Sequence, residues 1–230
     1  MNLLISLIVP IYNECRAVGP FLDRLDALPG RWEVLFADGG SRDGTVEQIA
    51  GRYPVLACPK GRARQMNAAA ARARGEVLWF LHCDSRPPAG AYEQMAWAVQ
   101  AGAGWGCFHI RFDGKGPLMV TNALASDFRA RRGIAFGDQG IFVTPTLFEA
   151  VGGFPDLPIM EDYEFSRRMK ARKIPITLLP GRMVTSSRRY ESAGGALGTL
   201  GVMAQMFYLR HLYRKGTDIQ EIARRYRDIR

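Results

Sequence analysis

Short apolar runs and stretches of helical spacing take turns along the first part of the chain. Residues 3–9 are almost uniformly apolar and are closed by Pro10, which predicts a strand buried on both faces. Phe21, Leu22, Leu25 and Leu28 share one helical face, so a helix is expected over 18–28, stopped by Pro29-Gly30. Further strands are expected at 32–37, 55–58 and 76–81. Between them fall a helix starting near Thr45, capped by Ser41 or Asp43, and an alanine-rich helix reaching about Arg74 and ended by Gly75. This β-α-β-α-β-α-β order predicts a parallel sheet covered by helices on both faces.

After a helix at 91–101 the rhythm changes. Residues 104–112 alternate as a strand does, 118–131 have helical spacing, and 141–143 form a short apolar strand. A helix over 145–151 is stopped by Gly152-Gly153. Residues 161–172 form the next, with Glu161, Asp162 and Glu164 in its first turn, where acids suit the helix dipole. A strand is expected at 174–179. With no repeat and no low-complexity linker, the expectation is one α/β domain over 1–190 and a helical tail over 191–230. The apolar, then basic, segment 196–212 is expected to pack on the body; the alternative is that it lies on a membrane surface.

Composition narrows the functional classes. Hydrophobic residues make up 47% of the 230, enough for a sizeable core, which excludes a disordered chain. The formal charge of +9 suits an anionic partner: a nucleotide, a phospholipid surface or nucleic acid. Nucleic acid is the poor member of that set, because Tyr208, Tyr213 and Tyr226 do not interleave with arginines as a base-stacking sheet face requires. Cys15, Cys58, Cys83 and Cys107 form no CxxC pair and read as small buried residues of a reduced protein. No apolar run approaches the ~20 residues of a spanning helix. Leu3–Val9 is expected as a strand, not as a leader peptide. A cytoplasmic protein with at most peripheral membrane contact is therefore expected.

The chemistry gathers at punctuation between elements. Leu78-Trp79-Phe80-Leu81 drives into His82-Cys83-Asp84. His82 and Asp84, two apart in extended backbone, point the same way at the rim of a sheet, where open α/β sheets bind ligands. An imidazole and a carboxylate there can hold a divalent cation, and the cation can hold phosphates; the plainer reading is two polar residues facing water. Asp38-Gly39-Gly40-Ser41-Arg42-Asp43-Gly44-Thr45 is a tight turn that lets a ligand approach the backbone.

These marks, in this order, resemble family 2 glycosyltransferases of GT-A fold. The matching residues are Val9-Pro10-Ile11-Tyr12-Asn13-Glu14, the turn from Asp38 to Thr45, Asn67, Phe80-Leu81-His82-Cys83-Asp84, Gly152-Gly153-Phe154 and Glu161-Asp162. Within the family, Gly61-Arg62-Ala63-Arg64-Gln65-Met66-Asn67, Gly137-Asp138-Gln139-Gly140 and Ser186-Ser187-Arg188-Arg189 resemble a small subgroup associated with radical-SAM and selenium- or arsenosugar-related genes.

The resemblance implies a Rossmann-like, mainly parallel mixed sheet and an enzyme that moves a sugar from a nucleotide-sugar donor to a hydroxyl acceptor with inversion. It implies that Pro10, Tyr12, Glu14 and Asp38 hold the nucleoside, with helix capping as the other role open to Glu14 and Asp38. Arg62 and Arg64 would lie near base or phosphates, or else simply begin a solvated helix. His82-Cys83-Asp84 replaces the common Asp-x-Asp, so Asp84 would ligate the cation directly, and the softer His82 favours manganese over magnesium. Gly39 stands where many relatives carry the acid that reads uracil, which leaves UDP as a default donor base. Asp162 would be the general base and Glu161 its support, against a plain dipole role. Arg188 or Arg189 would steady the departing diphosphate, and Asp138 and Gln139 would meet acceptor hydroxyls. A module that binds a nucleotide sugar or a partner without turnover is the alternative.

Overall fold

The computed structural model describes residues 2–191 and 194–226, leaving the side chain of Arg189 undescribed. A mixed seven-stranded sheet runs β3-β2-β1-β4-β6-β5-β7. Its strands are β1 (Ile5–Ile11), β2 (Trp32–Asp38), β3 (Val55–Ala57), β4 (Val77–Phe80), β5 (Trp105–Phe112), β6 (Phe142–Val143) and β7 (Thr177–Thr185). β1, β2, β3 and β4 are parallel, β6 is antiparallel to both β4 and β5, and β5 is parallel to β7. The expected α/β architecture, mainly parallel and flanked by helices, is what the chain adopts.

The helices are α1 (Cys15–Asp26), α2 (Thr45–Ile49), α3 (Arg62–Ala70), α4 (Ala91–Gln100), α5 (Pro117–Arg131), α6 (Pro145–Ala150), α7 (Glu161–Ala171), α8 (Arg188–Glu191), α9 (Gly195–Arg214) and α10 (Ile219–Arg225). Strand alternation divides the core into two layers. Leu7, Val9 and Trp79 pack with Phe21, Leu22 and Met95 on one face; Ile8, Leu78 and Phe80 pack with Met66, Phe148 and Phe165 on the other. A central strand covered on both faces needs apolar residues at every position, which is why β1 and β4 read as unbroken runs.

Two strands depart from expectation, and both departures involve proline. β1 continues through Pro10 to Ile11 instead of closing before it. β4 pairs with β1 only as far as Ile8↔Phe80, so at Pro10 the neighbour on that side has ended and no ladder bond is lost. β7 is set later and runs longer than the apolar stretch 174–179. Pro180-Gly181 bulges out of the ladder, so that Phe108 faces Leu179 while His109 faces Arg182. The bulge is pinned by Gly181 N donating to Gln94 Oε1 at 2.7 Å. The added length carries the chain to Ser186 and Arg188 at the rim of the sheet, beside the end of β4, where Arg86 bridges to Val184.

Leu209 of α9 and Ile222 of α10 are buried against Met160 and Tyr163. Leu197 and Phe207 of α9 remain exposed.

Trp79 is fully buried, its ring centroid 5.3 Å from Trp32 and 5.7 Å from Phe108. Trp79→Ala is expected to lower the unfolding free energy by about 3–5 kcal/mol, read as a shifted denaturation midpoint at unchanged slope.

Candidate active site

The ends of β1 and β2 are laced to each other by side chains that the turn sequence supplies. Asp38 accepts from Gly40 N at 3.0 Å, Ser41 N at 3.1 Å and Ser41 Oγ at 2.5 Å. Asn13, at φ 55°, donates its N–H to Ser41 Oγ and accepts from Arg42 N through Oδ1, both at 2.9 Å. Asp43 accepts from Thr45 and from Cys15 N. Desolvation pushes the Asp43 carboxyl up, but these donated bonds outweigh it and hold it well below the usual carboxylate range. Thus Asp38 and Asp43 build the loop, and Gly44 rather than either acid or Ser41 precedes α2 at its cap. Glu14 stands at the cap of α1 with its backbone N–H on Thr45 Oγ1 at 2.7 Å.

Beneath these loops lies a residue whose role the sequence pattern hid. Gln65, buried on α3, donates both amide protons, to Ile11 O and Ala37 O, each at 2.7 Å. It joins the last carbonyl of β1 to the next-to-last carbonyl of β2, beneath the two loops. A Cβ on Gly39 would stand 3.1 Å from this amide, so the glycine keeps the turn tight over it. Lys60 adds a cation that the sequence did not single out, its Nζ 3.8 Å from the Tyr12 ring centre. Asn67 reaches from α3 to the Gly-Gly-Phe loop: its Nδ2 donates to Phe154 O at 2.7 Å and its Oδ1 accepts from Phe154 N at 3.0 Å.

The end of β4 meets the start of α7 through one glycine. Gly137 N donates to Asp162 Oδ2 at 2.8 Å, and a Cβ on Gly137 would lie 2.9 Å from His82 Nε2. Asp162 Oδ1 accepts from Tyr163 N at 2.6 Å. Next to Asp162, Glu161 is buried, with Arg62 Nη1 donating to its Oε1 at 3.3 Å. Burial pushes the Glu161 carboxyl up, and the Arg62 charge opposes that rise. His82 is pushed down to about 4, first by burial and then by Arg62, so its imidazole is neutral at neutral pH. Across the cleft, Arg188 Nη2 lies 3.6 Å from Asp84 Oδ2.

Asp138 is the strained acid of the group. It sits in a 3₁₀ turn, Gly137–Gln139, with Oδ1 buried and without a hydrogen-bond partner. Burial raises its carboxyl to about 6; Arg129 opposes the rise, while Asp162 and Asp84 add to it. The three acids 84, 138 and 162 therefore share one electrostatic neighbourhood. Asp38 is two strands away from Asp84 across β1, a lateral step of about 10 Å.

Not every expected residue joins this group. Gln139 is fully buried and holds Phe136 N and Phe108 O at 3.3 and 3.4 Å, leaving no amide surface for an acceptor. Arg64, exposed beside the buried Gln65 on α3, is held in an exposed pair by Asp156, at 2.8 and 2.9 Å. The side chain of Arg189 lies outside the described residues.

Among the described residues no cluster of three His, Cys, Asp or Glu could hold a metal by itself. The donor set is one carboxylate, Asp84, and one neutral imidazole, His82. That set suits a cation that completes its shell with phosphate oxygens, as magnesium and manganese commonly do, and the imidazole favours manganese.

Residues 6–148 match the family model described as Glycosyl transferase family 2. The chain belongs to that family. The remaining comparisons place this family 2 chain among sugar transferases. It is 36% identical over 96 residues to a dodecaprenyl-phosphate galacturonate synthase of Rhizobium johnstonii, covering 36% of this chain and 28% of the relative. It is 31% identical over 166 residues to an uncharacterized glycosyltransferase of Mycobacterium tuberculosis, covering 65% of this chain and 61% of the relative. The chain thus spans less than two thirds of the length of these relatives. Among solved structures it resembles a mannosyltransferase of Pyrobaculum calidifontis in complex with GDP-Man and Mn2+, with TM-score 0.63 and 20% identity. That match covers 93% of this chain and 64% of the other, and shows the shared fold.

Asp138 gives a pH test with a definite sign. Its native value of about 6 exceeds the ordinary 3.8, so the folded state keeps a proton that the unfolded state has lost between those values. Stability from this group therefore falls as pH rises through that window. In EDTA, Asp138→Asn is expected to be more stable than wild type at pH 7.5 by about 1–3 kcal/mol. The gain should vanish near pH 4. Urea titrations at both pH values check it; a variant less stable at pH 7.5 would show the carboxylate to be favourably held.

Proposed function

We propose that the protein transfers a sugar from a nucleotide-diphosphate donor, UDP-hexose by default, to a hydroxyl acceptor with inversion at the anomeric carbon. The observation that carries this reading is the Gly137 contact, which sets Asp162 against His82 and in the electrostatic reach of Asp84. A proton-accepting acid thus stands beside the residues that would hold the donor's phosphates.

In this reading the nucleoside lies over the loops of Tyr12, Glu14 and Asp38, near Pro10, with Gln65 keeping the strand ends in register. Asp84 and His82 would hold a divalent cation, which supplies charge neutralisation for the departing diphosphate. Arg62 and Arg188 add positive charge on that side, with Arg64 reserved for the base if its exposed pair opens. Asp162 takes the proton of the acceptor hydroxyl as that oxygen attacks the anomeric carbon. The bond to the diphosphate breaks on the opposite face, and its electron pair leaves with the nucleotide. Glu161 acts through Arg62, fixing a guanidinium that adds to burial in keeping His82 neutral. The motifs at Gly61, Gly137 and Ser186 support placement in the radical-SAM-associated subgroup. Among the described residues no helix is long and apolar enough to cross a membrane.

His82 in the first place of the metal motif favours a second reading, a module that binds the nucleotide sugar without turning it over. One set of measurements separates the two. Wild type is expected to gain thermal stability with UDP and manganese together, and to hydrolyse or transfer UDP-hexose. Asp162→Asn should keep the stability gain and lose about 10²–10⁴-fold in turnover. Asp84→Ala should lose the manganese-dependent part of the gain. Nucleotide-dependent stabilisation with no turnover across donors and acceptors would establish the binding module instead.

A further inference from the structure

Two arginines that play no part in the reading above stand beside its general base. Arg129 is near the end of α5, and Arg210 lies in α9. Both face the ring of Phe136, with Cζ 3.9 Å and 5.6 Å from its centre. Phe136 directly precedes Gly137, whose N–H holds Asp162. On its other side Phe136 lies 6.1 Å, centre to centre, from Tyr163, the residue after Asp162. The two guanidiniums are therefore packed on the residue that leads into the contact between Gly137 and Asp162.

Their surroundings leave them incompletely used. Among the described residues Arg129 Nε is buried without a hydrogen-bond partner, as is Oδ1 of the nearby Asp138. Among the described residues neither Arg129 nor Arg210 enters an ion pair within 4.0 Å. Burial pushes both guanidiniums down; Asp138 and Asp162 oppose that fall at Arg129, while like charges, Arg210 beside Arg129 and Arg214 beside Arg210, add to it. Simple neutralisation of Asp138 and Asp162 would have produced paired charges, because an unpaired buried charge is costly. The position of Arg129 is not accidental. Two residues earlier, Asp127 locks α5 to β5 by accepting from Ile110 N at 3.1 Å and meeting His109 Nδ1 at 2.6 Å.

We propose that Arg129 and Arg210 anchor an anionic group, a phosphate, carried by the acceptor next to the hydroxyl that receives the sugar. Guanidinium forks match the tetrahedral oxygens of phosphate; Phe136 sets the two groups side by side, and Arg210 Nε is held by Met206 O at 3.2 Å, which turns its terminal nitrogens to the anion. Calling the ligand an acceptor rests on the transfer reading; the binding itself does not.

The phosphate has two sources with different surroundings. A small soluble phosphate ester needs only the arginines. A lipid phosphate would also use the neighbouring apolar surface, where α5 exposes Val120, Leu124 and Phe128 at four-residue spacing and α9 exposes Leu197 and Phe207. Arg132 lies over the Phe128 ring at 4.2 Å, adding a cation at that edge.

The test measures binding without donor and with EDTA present, so it stands apart from turnover. Calorimetry compares sn-glycerol 3-phosphate with glycerol; co-sedimentation compares phosphatidylcholine vesicles with and without phosphatidic acid. Wild type is expected to prefer the phosphate-bearing probe at least tenfold in one arm. Preference in the first arm identifies a soluble ester, and preference confined to the second identifies a lipid. Arg129→Gln and Arg210→Gln should each reduce that preference at least tenfold, and Arg129→Lys should retain part of it. Arg72→Gln, an exposed change in the turn just past the end of α3, should leave it intact. UDP binding should be the same in all variants. If Arg129→Gln fails to fold, Arg210→Gln and Arg129→Lys carry the comparison. No preference in either arm, or a preference that survives both glutamine variants, overturns the proposal.

Discussion

The parallel ladder that β1 makes with β2 on one side and β4 on the other determines where every functional group can lie. Three strands pointing the same way bring three loops to one edge: Tyr12 to Glu14, Asp38 to Thr45, and His82 to Asp84. Ladder hydrogen bonds fix the relative height of those loops, and Gln65 ties the strand-end carbonyls of Ile11 and Ala37 to each other. Antiparallel β6 then turns the chain back, and the 3₁₀ turn before it delivers Gly137 to the same edge. The site is thus a property of strand direction first and of side-chain identity second.

The half of the fold built from simple βα alternation was legible, because burial on both faces demands apolar residues at each strand position and leaves no ambiguity about Leu7 or Trp79. Proline obscured the rest. Pro10 looked like a terminator, yet it sits where the neighbouring strand has already ended. Pro180-Gly181 looked like the end of a strand, yet two bulged residues let β7 continue to Thr185. The ladder accepts a proline wherever no N–H is required of it, and a single sequence does not reveal where that is.

The candidate site divides in the same way. Neither Asp84 nor Asp162 can be placed near the other by spacing, since the chain between them folds through two strands and three helices, α4, α5 and α6; the resemblance brought them together on motif order. Gln65 and Arg129 were illegible for a different reason. Each occupies a helix, and an amide or a guanidinium on a helix usually faces water. Only the coordinates reveal that one is buried against strand-end carbonyls and the other against a phenylalanine ring. Asp138 and Gln139 are adjacent in one motif, yet the turn aims one carboxylate toward Asp162 and tucks the other side chain under Phe108.

Asn67 has a bearing on the order in which the enzyme comes together. By offering a donor and an acceptor to Phe154, its amide does the work of a neighbouring strand, across a separation of 87 residues. The pairings among β1, β2, β3 and β4 all close by Phe80, so in a chain emerging from the ribosome the loops of Tyr12, Asp38 and His82 can come together early. The acids at 161 and 162 have no such local route. They take their places only after the later segment has been translated and has docked on the amide that awaits it.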